Sequence, residues 1–250
     1  MKSSAEHYDE HLGAIYSWMV GDIDAALARS TAELDVLNLL PMATGRAVDL
    51  GAGFGLHALP LARRGFSVLA IDSCNTLLRE LRERADTFPI RTVKADLLQF
   101  RSHVEAPVDL ILCMGDTLTH LSDKSSVESL FADVSESLVE DGLFIATFRD
   151  YASATLQGEA RFIPVRSDAT RFLTCFLEYA DTTVTVHDML HEYESAQWRL
   201  RVSSYSKLRL APAWVADALS ERGFSVQCEV VPGGMVRVLA RLKRGRNTPA

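Results

Sequence analysis

Three glycines in five residues set the strongest constraint on this chain. Ala47 to Gly65 reads AVDLGAGFGLHALPLARRG. Ala47, Val48 and Leu50 form a short apolar run with Asp49 inside it, the pattern of a buried parallel strand at its C-terminal end. Gly51, Gly53 and Gly55 follow in a sharp turn, and Leu56, Leu59, Leu61 and Ala62 then recur at helical spacing before Gly65. Strand, glycine turn and helix make the first half of a nucleotide-binding βαβ unit, where a ligand approaches backbone that carries no Cβ. The spacing is G-x-G-x-G, with Leu56 where a dinucleotide site places its last glycine, and no G-x-x-x-x-G-K-[ST] occurs. Asp49 suits a cationic ligand group better than a phosphate. A nucleoside without phosphates fits this turn; a glycine turn with no ligand is the plain alternative.

At these residues the chain resembles the class I S-adenosylmethionine-dependent methyltransferases, whose first motif is an acidic residue followed by G-x-G-x-G. The resemblance implies S-adenosyl-L-methionine as cofactor, S-adenosyl-L-homocysteine as product, and a donor site at Asp49, Gly51, Ala52, Gly53 and Gly55. The second strand, Phe66 to Ile71, ends at Asp72, about 20 residues after the first glycine, where such sheets hold ribose hydroxyls. A carboxylate can accept from both cis hydroxyls. By the same resemblance Ser73 adjoins the ribose, and Asp96 and Leu97, after a third strand at Ile90 to Ala95, adjoin the adenine. Asp96 is equally suited to capping the next turn.

Val108 to Met114 is a fourth strand, a helix is expected from about Val127 to Val139, and a fifth strand from Leu143 to Phe148. The loop Gly115-Asp116-Thr117-Leu118-Thr119-His120-Leu121 is similar to the G-N-S-x-x-H-L loop of glycine and sarcosine N-methyltransferases, and Phe148-Arg149-Asp150-Tyr151 to their H-R-N-Y segment. The likeness is good from Ala47 to Tyr151 and weak from Tyr205 to Leu242. It implies Met114 and Gly115 at the donor, and Arg149 as the guanidinium that holds a substrate carboxylate bidentately. Asp116 and Asp150 stand where that family has asparagine, and Thr147 where it has an acidic residue, so Asp116 favours a cationic or donating acceptor group. Arg149 has an alternative structural role in an ion pair. His120 is the candidate base, with packing inside the loop as its alternative.

Beyond Asp150 the period changes. Thr170 to Tyr179, Thr183 to Tyr193 and Trp198 to Leu210 read as an antiparallel meander, followed by a helix at Pro212 to Arg222 and a closing hairpin through Pro232-Gly233-Gly234. His187 and His191 share one strand face while Asp188, Glu192 and Glu194 fall on the other, which gives no metal-ligand set. Before the glycine turn, helical patterns run from Tyr8 to Met19 and from Ile23 to Leu40. The aromatic cluster Tyr8, Tyr16 and Trp18 is either core packing or a cover in which Tyr16 and Trp18 meet a sulfonium cation.

The fold expected is α/β: a Rossmann-like seven-stranded methyltransferase sheet with an inserted antiparallel β lid and an N-terminal helical extension. The divisions are 1–41 for the extension, 42–152 and 211–244 for the donor-binding domain, and 153–210 for the lid. A hydrophobic share of 48% over 250 residues provides one ample core. A net charge of −7 argues against a nucleic-acid partner, no run is long and apolar enough for a membrane span, and the polar start MKSSAEHYDEHL lacks a signal core. The four cysteines form no C-x-x-C pair. A cytoplasmic enzyme acting on a small-molecule acceptor is the expectation, with oligomeric state left open. An amine or amino-acid nitrogen leads; an oxygen or other heteroatom acceptor, or a non-catalytic S-adenosylmethionine-binding module, is the alternative.

Overall fold

The computed structural model describes residues 4–153 and 155–243. Apolar strands alternating with amphipathic helices produce the first layer set: β1 (Arg46–Leu50), β2 (Ser67–Asp72), β3 (Ile90–Lys94), β4 (Val108–Cys113) and β5 (Leu138–Arg149) run parallel. With β10 (Phe224–Val231) and β11 (Met235–Leu242) they form a seven-stranded sheet in the order β10-β11-β5-β4-β1-β2-β3. β11 is antiparallel to both neighbours, so the last strand is reversed in the sheet.

Both faces of this sheet are buried, which is why β4 is buried at every position; its one acid, Asp109, accepts the backbone N–H groups of Met42, Thr44 and Gly45. Ile111 and Cys113 face a core shared with Leu130 and Phe131 of α6 (Lys124–Ser137) and Leu219 of α7 (Pro212–Ser220). Leu110 and Leu112 face the other core, with Leu34 of α3 (Ile23–Val36), Leu61 of α4 (Ala58–Arg63) and Leu81 of α5 (Asn75–Ala85).

A second sheet of four antiparallel strands contains β6 (Phe162–Ser167), β7 (Arg171–Tyr179), β8 (Thr183–Glu194) and β9 (Gln197–Leu208). The meander is therefore one strand larger than expected. Pro164 masked β6; it is tolerated because β6 is an edge strand with a bulge between Pro164 and Arg166. β5 likewise starts five residues early: Asp141 (φ 62°) and Gly142 form a bulge opposite Val108 to Leu110 instead of stopping the helix before it.

The N-terminal segment is not one helix. It is α1 (Ser4–His7), a π-turn at Tyr8–Leu12 and α2 (Tyr16–Val20), and α3 ends at Val36, not Leu40. Leu12 and Ile15 pack on Leu173 and Leu190, so this segment lies against the inner face of the four-stranded sheet. The tail reading from Lys243 onward falls, Lys243 apart, outside the described residues. Among the described residues no helix is long and apolar enough to cross a membrane.

Candidate active site

The site is built from backbone at the C-terminal ends of β1 and β2. Gly51 and Ala52 donate their N–H groups to the Ile71 carbonyl at 2.9 and 3.0 Å, which ties the glycine turn to the neighbouring strand. Gly51 sits at φ +71°, and a Cβ there would run into Thr117 from the opposite loop. The Asp72 carboxylate accepts from Gly53 N (2.8 Å) and Cys74 N (2.7 Å), one bond to each oxygen, which leaves lone pairs for a ligand. Burial pushes the Asp72 carboxyl up, and the two N–H bonds offset part of that. Asp96 caps the short helix Leu97–His103 through Leu98 N at 2.8 Å.

These groups border an open cleft of about 1020 Å³, solvent-facing volume included. Ala52, Ser73, Leu97, Met114, Gly115 and Tyr16 also line it, and it continues past Thr117 to His120, Tyr8 and Ser4.

Beside the cleft, behind His120, lies a buried polar and aromatic cluster contributed by six stretches of the chain. Asp116, in a left-handed conformation (φ 75°), accepts from Arg149 N at 2.9 Å, Tyr151 Oη at 3.1 Å and Lys207 Nζ at 2.5 Å. Burial alone would raise its pKa; the Lys207 ammonium and the Arg149 N–H hold it below the usual carboxylate range. The Lys207 ammonium also lies 5.9 and 5.7 Å from the Tyr151 and Tyr205 ring centroids. Tyr205 is stacked between two imidazoles, His7 at 4.1 Å and His120 at 5.4 Å. His7 in turn bonds Asp188 Oδ2 (2.9 Å) and Ser203 Oγ (2.7 Å), and Cys175 Sγ donates to Asp188 Oδ1 at 2.8 Å. His7 and Asp188 are both buried, so this contact fastens the N-terminal segment to the four-stranded sheet.

Burial, then the Lys207 charge, pushes His120 down to about 3. It is therefore a neutral imidazole at physiological pH, and its Nδ1 is buried without a hydrogen-bond partner. The Tyr8, Tyr16 and Tyr205 hydroxyls stay protonated, burial raising each, Tyr16 to about 12.

Several expectations need correction. The Arg149 guanidinium is exposed and lies 3.5 Å from the Gly233 carbonyl at the β10–β11 turn, because Arg149 pairs with Met235 at the last rung of β5. The cation beside the cleft is Lys207 instead, and Asp116 is occupied by it. Trp18 faces away from the donor, its indole N–H on Asp168 (2.6 Å) and the Arg171 guanidinium 4.5 Å from its ring. Gly55 serves packing: a Cβ there would meet the Leu81 side chain. Asp49 is sealed beneath the turn, pushed up to about 6 by burial, with one oxygen unpartnered. His120 is not poised near neutrality. Among the described residues there is no metal-binding group of His, Cys, Asp and Glu side chains.

Lys207 and His7 were missed. The available signal for Lys207 was its place in the alternation Ser203, Tyr205, Lys207, which puts a lysine on the buried face of β9. His7 carried none, since its partners lie more than 180 residues away.

Residues 47–142 match the family described as a methyltransferase domain. A glycine/sarcosine N-methyltransferase of Aphanothece halophytica is 28% identical over 128 residues, 50% of this chain and 48% of that protein. The chain spans about half the length of the curated relatives it matches first. Among solved structures, the CcbJ methyltransferase of Streptomyces caelestis superposes with TM-score 0.76 at 20% identity, covering 95% of this chain and 98% of that one. CalS10, an amino pentose methyltransferase of Micromonospora echinaspora, superposes at 0.74 with 16% identity, covering 91% and 94%. The glycine turn, the seven-stranded sheet with its reversed edge and the matched segment agree: residues 47–142 match a methyltransferase domain, and the chain has the fold of the class I S-adenosylmethionine-dependent methyltransferases.

Proposed function

We propose that this chain transfers a methyl group from S-adenosylmethionine to an amine nitrogen of a small molecule. The observation that carries the reading is the continuity of the cleft, from Asp72 at the glycine turn to the buried imidazole of His120. The residues present fit the donor. Asp72 has lone pairs directed by two backbone bonds, the Gly51 position excludes a side chain, and Asp49 sets a negative charge beneath the turn at neutral pH. Asp72 would hold the ribose, Asp96 and Leu97 the adenine, and Met114, Gly115 and Tyr16 the remainder. When bound, S-adenosylmethionine supplies a methyl carbon already activated by its sulfonium.

The protein's own part is alignment and exclusion of water. Tyr8, Tyr16 and His120 wall the far end of the cleft, and the N-terminal segment closes over it. An imidazole with a pKa near 3 is a poor base and a sound hydrogen-bond acceptor. The neutral imidazole of His120 lines the cleft and sets no positive charge against an amine approaching the sulfonium. The relatives named for amino-acid and sugar nitrogens support an amine acceptor. We also propose the division of labour by segment: 42–152 and 211–244 bind the donor, while 1–41 and 153–210 enclose the acceptor.

Incubation with methyl-labelled donor and a panel of amines, amino acids, amino sugars and phenols tests this. Label is expected in an amine, with a rate that climbs with pH along the acceptor's own titration. Label only in phenols, or a rate governed by a group near pH 6.5 that His120→Gln removes, would contradict it.

A further inference from the structure

The four-stranded sheet has two faces, and the described residues cover only one. Its inner face takes the N-terminal segment, through Leu173 and Leu190, and the Tyr205 cluster. Strand alternation and register place Phe162, Phe172, Tyr193, Trp198, Leu200 and Val202 together on the outer face. These six are 37–55% exposed. Phe172 stacks on His191 and both it and Tyr193 lean on Trp198, so the patch is continuous. We propose that this outer face is the interface of a two-fold dimer of the chain; the proposal does not depend on the methyl-transfer reading.

Area, charge and composition select a second copy as the occupant. With aromatic side chains of about 150–250 Å² and aliphatic ones somewhat smaller, the six leave roughly 500–600 Å² in the open. That exceeds what most monomers expose in one patch, and a polar rim brings it to the roughly 800 Å² per partner of a stable interface. The chain carries −7 overall, so most faces would meet their own copy with like charges. On the outer face the charged groups are Glu178, which His187 holds at 3.2 Å, and the Arg161 guanidinium, 4.8 Å from the Phe176 ring centroid. These two are of opposite sign, so a two-fold sets the face against itself with no net repulsion, whereas a strongly acidic or basic partner would find a single counter-charge there. The RGRNTPA stretch at 244–250 has no large apolar side chain to serve as a cover. Phe, Tyr, Trp and Leu are also the residues expected at the centre of a homodimer contact.

Sedimentation equilibrium of the full chain should give twice 27.6 kDa, and the Leu200→Lys/Val202→Glu pair should return the single-chain mass with unchanged far-ultraviolet circular dichroism. Hydroxyl-radical footprinting of the unaltered chain covers the case in which that variant does not fold. In the dimer Trp198 should be labelled several-fold more slowly than its half-exposed state in one chain requires. A single-chain mass at micromolar concentration, a dimer that survives the substitutions, or Trp198 labelled at the rate of an exposed indole would each overturn the proposal. So would a monomer that binds neutral phosphatidylcholine vesicles through this face.

Discussion

The glycine-turn cleft and the buried cluster beside it are built on opposite principles. The cleft comes from neighbours in sequence: Gly51 to Gly53 and Asp72 to Cys74 are strand ends of one βαβ unit, held by backbone hydrogen bonds. The cluster draws on His7, Asp116, Tyr151, Asp188 and Lys207, whose side chains meet only after two sheets and the N-terminal segment have assembled. A region built from backbone holds its shape when one side chain changes. A region built from buried charges fails as a unit, because each group is satisfied by the others.

Substitutions should expose that contrast, and the largest effect belongs to Lys207. Lys207→Ala leaves the buried Asp116 carboxylate without its counter-ion, which costs about 3–5 kcal/mol in urea unfolding. A loss under about 1 kcal/mol would show that the pair is solvated and that the cluster is not electrostatically closed.

Next is Asp49, the one donor-side group with a buried, incompletely partnered charge. Its carboxyl is raised to about 6 by burial, so its favourable contribution is complete below about pH 4 and is lost as pH rises through about 6. Asp49→Asn should remove about 3 kcal/mol of that pH-dependence between about pH 4 and pH 7. Parallel stability curves for variant and parent would refute the burial argument.

His7→Ala should cost about 1–3 kcal/mol by stranding Asp188 and Ser203, and hydrogen exchange should quicken over residues 4–20 while β1 and β2 stay protected. Equal quickening in both regions would mean they are not separable. Smallest is Arg149→Ala: an exposed guanidinium beside the Gly233 carbonyl should change stability by no more than about 0.5 kcal/mol and leave KM for the acceptor unchanged. A large rise in KM would return Arg149 to the site.

The same contrast explains what could be read before the structure. The glycine turn, Asp72 and the succession of strands along the chain were legible because their signals are local: turn chemistry, apolar runs and a fixed spacing between strand ends. Even there Gly55 shows a limit, since its place in the motif does not distinguish contact with a ligand from contact with Leu81. The outward course of the Arg149 side chain was not legible, because a motif match gives a position on a strand end, not the direction of a long side chain. Lys207 and His7 were invisible as partners because register between β8 and β9, and the docking of α1, decide what they touch. The edge strand β6 was hidden by a proline that an interior strand would not tolerate.

Calorimetric titration with S-adenosylhomocysteine, run on the unaltered chain, on Asp72→Ala and on Arg149→Ala, tests the central claim most directly. The product should bind without added metal or phosphate, weaken by about 1–3 kcal/mol in Asp72→Ala, and bind Arg149→Ala as it binds the parent. Binding of NADH with S-adenosylhomocysteine ignored, or equal affinity in the Asp72→Ala chain, would contradict the assignment of this cleft.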